Sequence, residues 1–272
     1  MGFKIGFSAE ENTEEKAPET EIAPAETETS VRCSLVQVKF EGHNTPLAYY
    51  NDKFDLHCGD IVYVDGKFEG RRGRVVGVEY NFRIRLSDYK RVIAAADTNV
   101  RGQLYFCGSH IMTFDRNVLP REKVAGWFKA PAGAEEEIVV SHDGSSFPLQ
   151  NLLMMGAKPE IAQRGNTYYS ENRVRYLCLD GTNGYAIVEG THPYEVEFIC
   201  QDGEVSDIVC DCYCVGTCKH EVAAILQLRE TLDYMQNHYA KEYSASGYFA
   251  AIGKPTFYAL CLDSIETGSL VL

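Results

Sequence analysis

The sequence predicts an α+β fold, and three observations support this prediction. Residues 31–98 contain short alternating apolar runs between turn residues, which is typical of a small, strongly bent β-barrel. Residues after position 163 contain further strand-like runs that are joined by glycine-containing turns. Farther along, apolar residues recur with the period of an amphipathic helix, at Val222, Ile225, Leu228, Leu232 and Met235.

Length and composition limit the classes of protein that the chain can belong to. It has 272 residues, of which 45% are hydrophobic, so it can form one or two domains with ordinary cores. No stretch approaches the roughly 20 consecutive apolar residues of a membrane span, and the first residues lack the apolar segment of a signal peptide. We therefore expect a cytoplasmic protein with no membrane partner.

We expect the chain to be organised in five segments. Residues 1–30 are rich in Glu, Thr, Ala and Pro and poor in large apolar side chains, which predicts a disordered acidic tail. The barrel-like domain follows at residues 31–98. The sequence then predicts a mixed connecting region at 99–162, an antiparallel sheet with a turn and a helix at 163–240, and a closing segment at 241–272.

The barrel-like domain carries the main basic concentration in a chain whose net charge is −13. If Arg83 and Arg85 alternate on a strand they point to one face, and arginines beside aromatic rings can stack on bases. Nucleic-acid binding is therefore the alternative function. The competing interpretation is that Phe82, Ile84 and Leu86 face the core and the arginines only solvate the outer face. The candidate nucleic-acid-binding residues are Arg71, Arg72, Arg74, Arg83 and Arg85.

The connecting region is predicted to be mixed in structure. A hairpin, a short helix, an exposed linker and a second helix are predicted at residues 103–114, 119–128, 130–137 and 147–155, respectively. Cys107, His110 and His142 occur singly in this region, so we interpret them as packing or surface residues.

A dense group of metal-binding residue types follows the last predicted strand. Residues 210–220 read Cys-Asp-Cys-Tyr-Cys-Val-Gly-Thr-Cys-Lys-His. Thiolate and imidazole groups suit a tetrahedral structural Zn²⁺, and Gly216 allows the sharp turn that would bring the two ends of this stretch together. The candidate zinc ligands are Cys210, Cys212, Cys218 and His220. Cys214 adds a further thiol, so the sequence leaves open which two of the first three cysteines bind.

Other interpretations of these cysteines are a redox pair, a disulfide framework and a catalytic zinc site. A reactive C-x-x-C motif after a βαβ pattern is absent, and a chain without a secretory signal favours a reducing compartment. A complete set of four protein ligands leaves no open position for a catalytic water. Structural zinc is therefore the preferred interpretation.

The pattern C-x-C, a spacer and C-x-H resembles the SWIM-type zinc finger. Upstream runs that begin near Arg164, Arg173, Ala186 and Tyr194 resemble the short strands of bacterial members, and Cys-Lys-His at 218–220 resembles their helix start. The spacer of five residues between Cys212 and Cys218 is short for the family. The resemblance implies a SWIM-like ββα unit at residues 163–240 that binds zinc and contacts DNA or protein.

The charge of the zinc-finger region favours a protein as its partner. Acidic residues outnumber basic ones between positions 163 and 239, which is a poor surface for a phosphate backbone. Phosphate-binding loops, nucleophile elbows and zinc-protease helices are missing from the sequence. We therefore expect a non-enzymatic protein that contacts another protein and has no small-molecule substrate.

Overall fold

Alternating apolar residues and intervening turns build two β-sheets in this protein. The computed structural model describes residues 31–131 and 139–261, together with the backbone of β14 (Ile265–Val271). These described residues belong to one compact unit. The predicted tail at 1–30 and most of the predicted linker at 130–137 lie outside them. The general α+β prediction is confirmed.

The first sheet has five antiparallel strands in the order β2-β1-β4-β3-β5. Its strands are β1 (Ser34–Phe40), β2 (Leu47–Asn51), β3 (Ile61–Val64), β4 (Gly73–Glu79) and β5 (Val92–Ala96). Alternate residues of β1 are fully buried, as the period-2 pattern predicts, and Val36, Val38 and Phe40 form the centre of its core.

This sheet is not the closed barrel that the sequence predicts. Its edge strands β2 and β5 meet at one bridge, between Tyr50 and Arg91, where the Tyr50 N–H donates to the Lys90 carbonyl at 2.9 Å. Beyond this bridge the Arg91 guanidinium pairs with Asp52 at 2.5 Å. Side chains therefore occupy the seam in place of a hydrogen-bonded ladder. An alternating pattern is common to open and closed sheets, so it could not reveal this difference.

The second sheet has nine strands in the order β14-β6-β7-β13-β9-β10-β11-β12-β8. Besides β14, its strands are β6 (Val100–Cys107), β7 (His110–Thr113), β8 (Ser146–Pro148), β9 (Val174–Asp180), β10 (Asn183–Glu189), β11 (Pro193–Gln201), β12 (Glu204–Cys210) and β13 (Tyr248–Gly253). β14 pairs in parallel with β6, whereas the remaining pairs are antiparallel. β13 lies between β7 and β9, so it joins the β6–β7 hairpin to the β9–β12 meander.

Helices cover both faces of the second sheet. They are α1 (Arg121–Ala125), α2 (Pro159–Ser170), α3 (Lys219–His238), α4 (Ala240–Ser246) and α5 (Lys254–Leu260). On one face, Leu177 shares a core with Val222 of α3, while on the other Tyr176 shares a core with Trp127 and Phe257. Burial on both faces explains the continuous apolar runs at residues 176–179 of β9 and 184–188 of β10. No helix in the described ranges has the length and apolar character needed to cross a membrane.

The helical stripe predicted from the sequence is confirmed in α3. Val222, Ile225, Leu228 and Met235 are buried against the sheet. Leu232 is partly buried and packs at the edge of the same core.

The strand-like run that begins at Arg164 is a helix instead, because it belongs to α2. Pro159 occupies the first turn, where its missing N–H is not needed. Gly165 then lets α2 approach α3 closely, since a Cβ atom at this position would lie 2.5 Å from the Cβ of Val222. Packing against α3 therefore overrides the strand preference of the Thr-Tyr-Tyr sequence at 167–169.

The helix predicted at 147–155 is also wrong. Residues 146–148 form the edge strand β8, which pairs with β12 through Phe147 and Val205, and a short 3-10 helix follows at Leu152–Met155. The Leu149 N–H donates to the Gly203 carbonyl at 2.8 Å, which holds the segment along the β11–β12 turn. Pairing with a distant strand decides this structure, and the local sequence does not contain that information.

Replacing Gly165 by Ala tests the α2–α3 contact. At a solvent-exposed helix position this change would increase stability, but here the new methyl group would clash with Val222 at 2.5 Å. We expect Gly165→Ala to lower the free energy of unfolding by about 1 to 3 kcal/mol, measured by urea denaturation. Asn166→Ala is the control, because Asn166 is exposed on the same helix and its replacement should be neutral or stabilising. Equal effects of the two changes would contradict the close contact.

Because His110 is buried, we expect the stability of the folded protein to depend on pH. Burial lowers the pKa of His110 from 6.5 to about 4, and its Nε2 bonds the Val174 carbonyl at 2.9 Å. The folded pKa lies below the unfolded pKa, so the folded state keeps His110 neutral. The stability that neutral, buried His110 contributes is about 3 kcal/mol. It is fully present above pH 6.5 and is lost as the pH falls toward 4.

We therefore expect His110→Gln to flatten the fall in stability between pH 6.5 and 4. The measurement is urea denaturation of both proteins across this range. Any acid-induced loss of stability at residues 210–220 is common to the two proteins, so it cancels when their stability curves are compared. Parallel curves would show that His110 does not titrate in this way.

Candidate metal centre

The candidate zinc ligands lie where the second sheet passes into α3. Cys210 is the last residue of β12, Cys212 follows two residues later, and Cys218 and His220 lie at the start of α3. The intervening residues 211–217, termed the ligand loop below, reverse the chain direction. Gly216 has a φ of 76°, a left-handed conformation that favours glycine.

The structure brings these four side chains together. Their ligand atoms all lie within 4.8 Å of one another. The Nδ1 atom of His220 is 3.6 Å from the Cys210 sulfur and 3.7 Å from the Cys218 sulfur. Around a tetrahedral zinc ion, bond lengths of about 2.3 Å to sulfur and about 2.0 Å to nitrogen place these atoms roughly 3.6 Å apart. The spacing therefore fits a zinc ion.

The pKa values of the thiols show what a bound cation would have to change at this position. A hydrogen bond with Cys210, supported by His220 and the Glu221 backbone, lowers the pKa of Cys218 to about 4. The same contact with Cys218 and burial raise the pKa of Cys210 far above its usual range, and burial raises that of Cys212 to about 12. Three thiolates so close together repel one another, so full deprotonation requires a positive ion among them.

Cys218 also caps the N-terminus of α3. Its sulfur accepts a bond from the Glu221 N–H at 3.4 Å, and Glu221 Oε2 accepts one from the Cys218 N–H at 2.8 Å. This is a capping box in which a thiol takes the usual place of a hydroxyl. Burial, followed by the charge of Cys218, raises the pKa of Glu221 to about 7. The cap fixes the Cys218 sulfur relative to the helix.

Two tyrosines hold the His220 ring in place. The ring stacks on Tyr194 of β11 with centroids 4.1 Å apart, and Tyr168 of α2 contacts it at 5.6 Å. His220 is 2% exposed, and its Nε2 has no hydrogen-bond partner among the described residues. A Cβ atom at Gly190 would lie 3.2 Å from this nitrogen, so the glycine makes room for the ring. Stacking therefore orients the imidazole.

Asp211 fixes the geometry between the first two ligands. Its N–H donates to the Glu195 carbonyl at 3.1 Å, and its Oδ1 accepts from the Glu195 N–H at 2.9 Å. The other carboxylate oxygen pairs with Lys129 at 2.6 Å. These contacts continue the β11–β12 pairing past Cys210, so Cys210 and Cys212 are held by the sheet as well as by any bound ion.

Of the first three cysteines, Cys210 and Cys212 lie close to Cys218 and His220. Cys214 is exposed and lies outside the group of close ligand atoms, whereas Cys210 and Cys212 are partly buried within it. The neighbours of Cys214, Tyr213 and Val215, are fully exposed. The ligand loop thus turns its middle toward solvent and its two ends toward the centre.

The five candidate nucleic-acid residues differ in their surroundings. Arg83 and Arg85 are exposed in an unpaired segment, residues 82–85, and not on a strand. Leu86 is 43% exposed and does not face the core, whereas Phe82 and Ile84 are partly buried. Arg72 and Arg74 donate to the carbonyls of Trp127 and Ala259, at 3.0 Å and 2.6 Å. These two arginines therefore hold the first sheet against the α1 and α5 regions.

Arg71 makes a more local contact, with the Glu41 carbonyl at 2.6 Å. None of the five arginines belongs to the metal centre. The sequence alone could not separate arginines that link parts of the fold from arginines that face solvent, because the distinction depends on contacts with remote residues.

Comparisons of the chain with protein-family models, with curated proteins and with solved structures give no match. The four ligand-type side chains are compatible with a zinc finger.

Several residues of the centre were not recognised from the sequence. Glu221 had a local signal, because a polar N-cap followed three residues later by Glu predicts a capping box. Tyr168 and Tyr194 had none, since they reach His220 from separate elements, α2 and β11. The role of Asp211 likewise follows from its pairing with β11.

The zinc content of cysteine variants can distinguish the candidate ligands from Cys214. We expect Cys218→Ser to reduce zinc affinity by more than about 100-fold, since changes outside the first ligand set already cost 10- to 100-fold. The thermal transition should fall as well, because structural zinc contributes on the order of 10 kcal/mol to folding. Metal analysis of the purified proteins and competition with a chelator measure these changes.

Cys214→Ser is the matched control, because it removes an exposed thiol from the same loop. It should keep one zinc ion per chain and an unchanged thermal transition. Equal loss of zinc in both variants would contradict the ligand set, as would full zinc content in Cys218→Ser.

Proposed function

We propose that this protein is a non-enzymatic, SWIM-type zinc-binding protein whose ligand loop contacts another protein. The observation that carries the proposal is the ligand loop, which is flanked by the candidate ligands Cys210 and Cys218 and presents apolar side chains to solvent. Tyr213 and Val215 are each 104% exposed relative to a reference chain.

The composition of the ligand loop favours a protein partner. Tyrosine is enriched at the centres of protein interfaces, and a large apolar side chain gains most when a partner covers it. The loop contains no lysine or arginine, and its one charged residue, Asp211, pairs with Lys129. A phosphate backbone would find no cation on it, so nucleic acid is a poorer occupant of this surface.

Zinc would favour binding by limiting the freedom of the loop. When both ends of a loop are fixed in the free protein, less conformational entropy is lost on binding. Thr217 adds a second anchor, because its Oγ1 donates to the Met155 carbonyl at 3.1 Å. Leu153 and Met154, in the adjacent 3-10 helix, are 93% and 60% exposed and extend the apolar surface.

The SWIM assignment rests on the order of elements as well as on the ligands. β11 and β12 form a hairpin, the last residue of β12 is the first ligand, and α3 begins immediately after the third. This order agrees with the ββα unit that the family pattern implies. α2, which packs on α3, is an addition to that unit in this chain.

The ligand chemistry supports a structural, non-catalytic role for the zinc. Three cysteines and one histidine complete the tetrahedral coordination of zinc, so no position remains for a water or a substrate. All ten cysteines are free thiols. Free thiols and a thiolate zinc site both fit a reducing compartment, in keeping with a cytoplasmic protein.

Nucleic-acid binding is a second candidate function, favoured by one observation. Arg83 and Arg85 alternate with the partly buried Phe82 and Ile84, so both charged groups project from the same exposed segment. A protein with this segment and an apolar ligand loop could link a protein partner to nucleic-acid machinery. Loss of oligonucleotide binding in an Arg83→Gln, Arg85→Gln variant would support this candidate.

Replacing the apolar side chains of the ligand loop tests the proposed function. We expect a Tyr213→Ser, Val215→Ser variant to keep its zinc and its thermal stability, since neither side chain contacts the core. Capture of protein partners from a cell extract should fall at least tenfold, because burying two such side chains contributes about 1.5 to 3 kcal/mol each. Quantitative mass spectrometry of the captured proteins measures the change.

Val139→Ser with Val140→Ser is the matched control, since these residues are also exposed and apolar but lie on another segment. It should leave capture unchanged. If the unchanged protein and both variants capture the same proteins in equal amounts, the ligand loop is not the contact surface.

A further inference from the structure

A cleft of about 480 Å³ lies between the first sheet and the turn that follows β10. β1 and β4 form one wall, the turn at residues 189–193 forms another, and the end of α5 closes one side. This volume is within the range of small-ligand sites. We call it the basic cleft and define it by Lys39, Arg71, Arg72, Arg74 and His192, which all line it.

The basic cleft differs in charge from the rest of the acidic chain. Lys39 and three arginines line it, against two carboxylates, Glu41 and Glu189. Glu189 is already paired with Arg175, which lies outside the cleft lining. None of the three arginines pairs with a carboxylate of the described residues. Their positive charge is therefore available to a bound anion.

Backbone contacts hold the arginines in position. Each donates to main-chain carbonyl oxygens: Arg71 to Glu41, Arg72 to Trp127, and Arg74 to Gly59 and Ala259. These acceptors are neutral, and each guanidinium uses only one or two of its five N–H donors. The arginines are thus pre-positioned, and most of their donors remain for a ligand, which lowers the entropic cost of binding.

Aromatic rings further restrict two of these groups. Arg71 lies over the Phe68 ring at 5.2 Å, and Arg72 lies over the Phe128 ring at 5.8 Å. Such cation–π contacts restrict the side chains without using an oxygen acceptor, so the unpaired N–H donors are not consumed by them. The remaining donors suit an anion with several oxygen atoms.

The geometry points to a phosphate group as the ligand of the basic cleft. A carboxylate has two oxygens and one charge, which a single guanidinium can satisfy. Three arginines and a lysine suit a group with more oxygens and up to two charges, and guanidinium groups match phosphate oxygens in a bidentate manner. The phosphate could belong to a small phosphorylated ligand or to a nucleic-acid backbone.

This inference is independent of the protein contact proposed for the ligand loop. The two sites share one structural link, because Gly190 lines the basic cleft and also lies against the His220 ring. Binding should therefore be measured on the full chain loaded with zinc, so that the turn at 189–193 is intact.

Isothermal titration calorimetry at low salt tests the proposal with inorganic phosphate, adenosine monophosphate and a short single-stranded oligonucleotide as probes. Acetate is the non-phosphate control. We expect saturable binding of at least one phosphate probe and none of acetate. Arg71→Gln should weaken that binding about tenfold or more, as expected for one charged hydrogen-bond donor. Arg71 is chosen because its contact is local, whereas Arg72 and Arg74 link parts of the fold.

Arg164→Gln is the matched control, because it removes one exposed arginine outside the cleft lining. It should leave affinity within about twofold. Tight binding of phosphate or the mononucleotide assigns the cleft to a small ligand, and binding of the oligonucleotide alone assigns it to a nucleic-acid backbone. The absence of saturable binding of any phosphate probe would overturn the proposal, as would binding of acetate with equal affinity. An equal loss of affinity in the two variants, with their thermal transitions unchanged, would also overturn it.

Discussion

The close approach of three cysteine sulfurs to one imidazole is the constraint that organises the centre of this structure. Cys210, Cys212 and Cys218 are held with His220 in a space where their ligand atoms lie within 4.8 Å of one another. Deprotonating all three thiols there requires a positive ion, and a zinc ion that met this need would also tie β12 to α3. Because α3 covers one face of the second sheet, the same ion would stabilise the helix, the ligand loop and the core together.

The ligand residues could be predicted because they are close in sequence. All four lie within eleven consecutive positions, so the spacing indicates that they can meet, although it leaves Cys214 as a further candidate. The strands of the first sheet and the buried stripe of α3 were predictable for a similar reason, since periodicity is a local property. The features that the sequence did not predict depend on contacts between residues that are far apart in the chain.

Three examples show where local patterns were insufficient. Residues 167–169 favour a strand by composition, yet close packing at Gly165 makes them part of a helix. Phe147 lies in a strand because Val205 offers a partner, and Arg74 binds the Ala259 carbonyl from a position 185 residues away. In each case the deciding atom belongs to another element, so neither propensity nor spacing could identify it.

The position of β13 has a consequence for how the protein forms. Residue 250 pairs with residue 113 on one side and with residue 178 on the other. During synthesis, the hairpin and the meander therefore leave the ribosome well before the strand that joins them. Contacts of such wide sequence separation slow folding, and unpaired strand edges favour aggregation. The nascent chain is consequently most exposed to misassembly in the interval before residues 248–253 emerge.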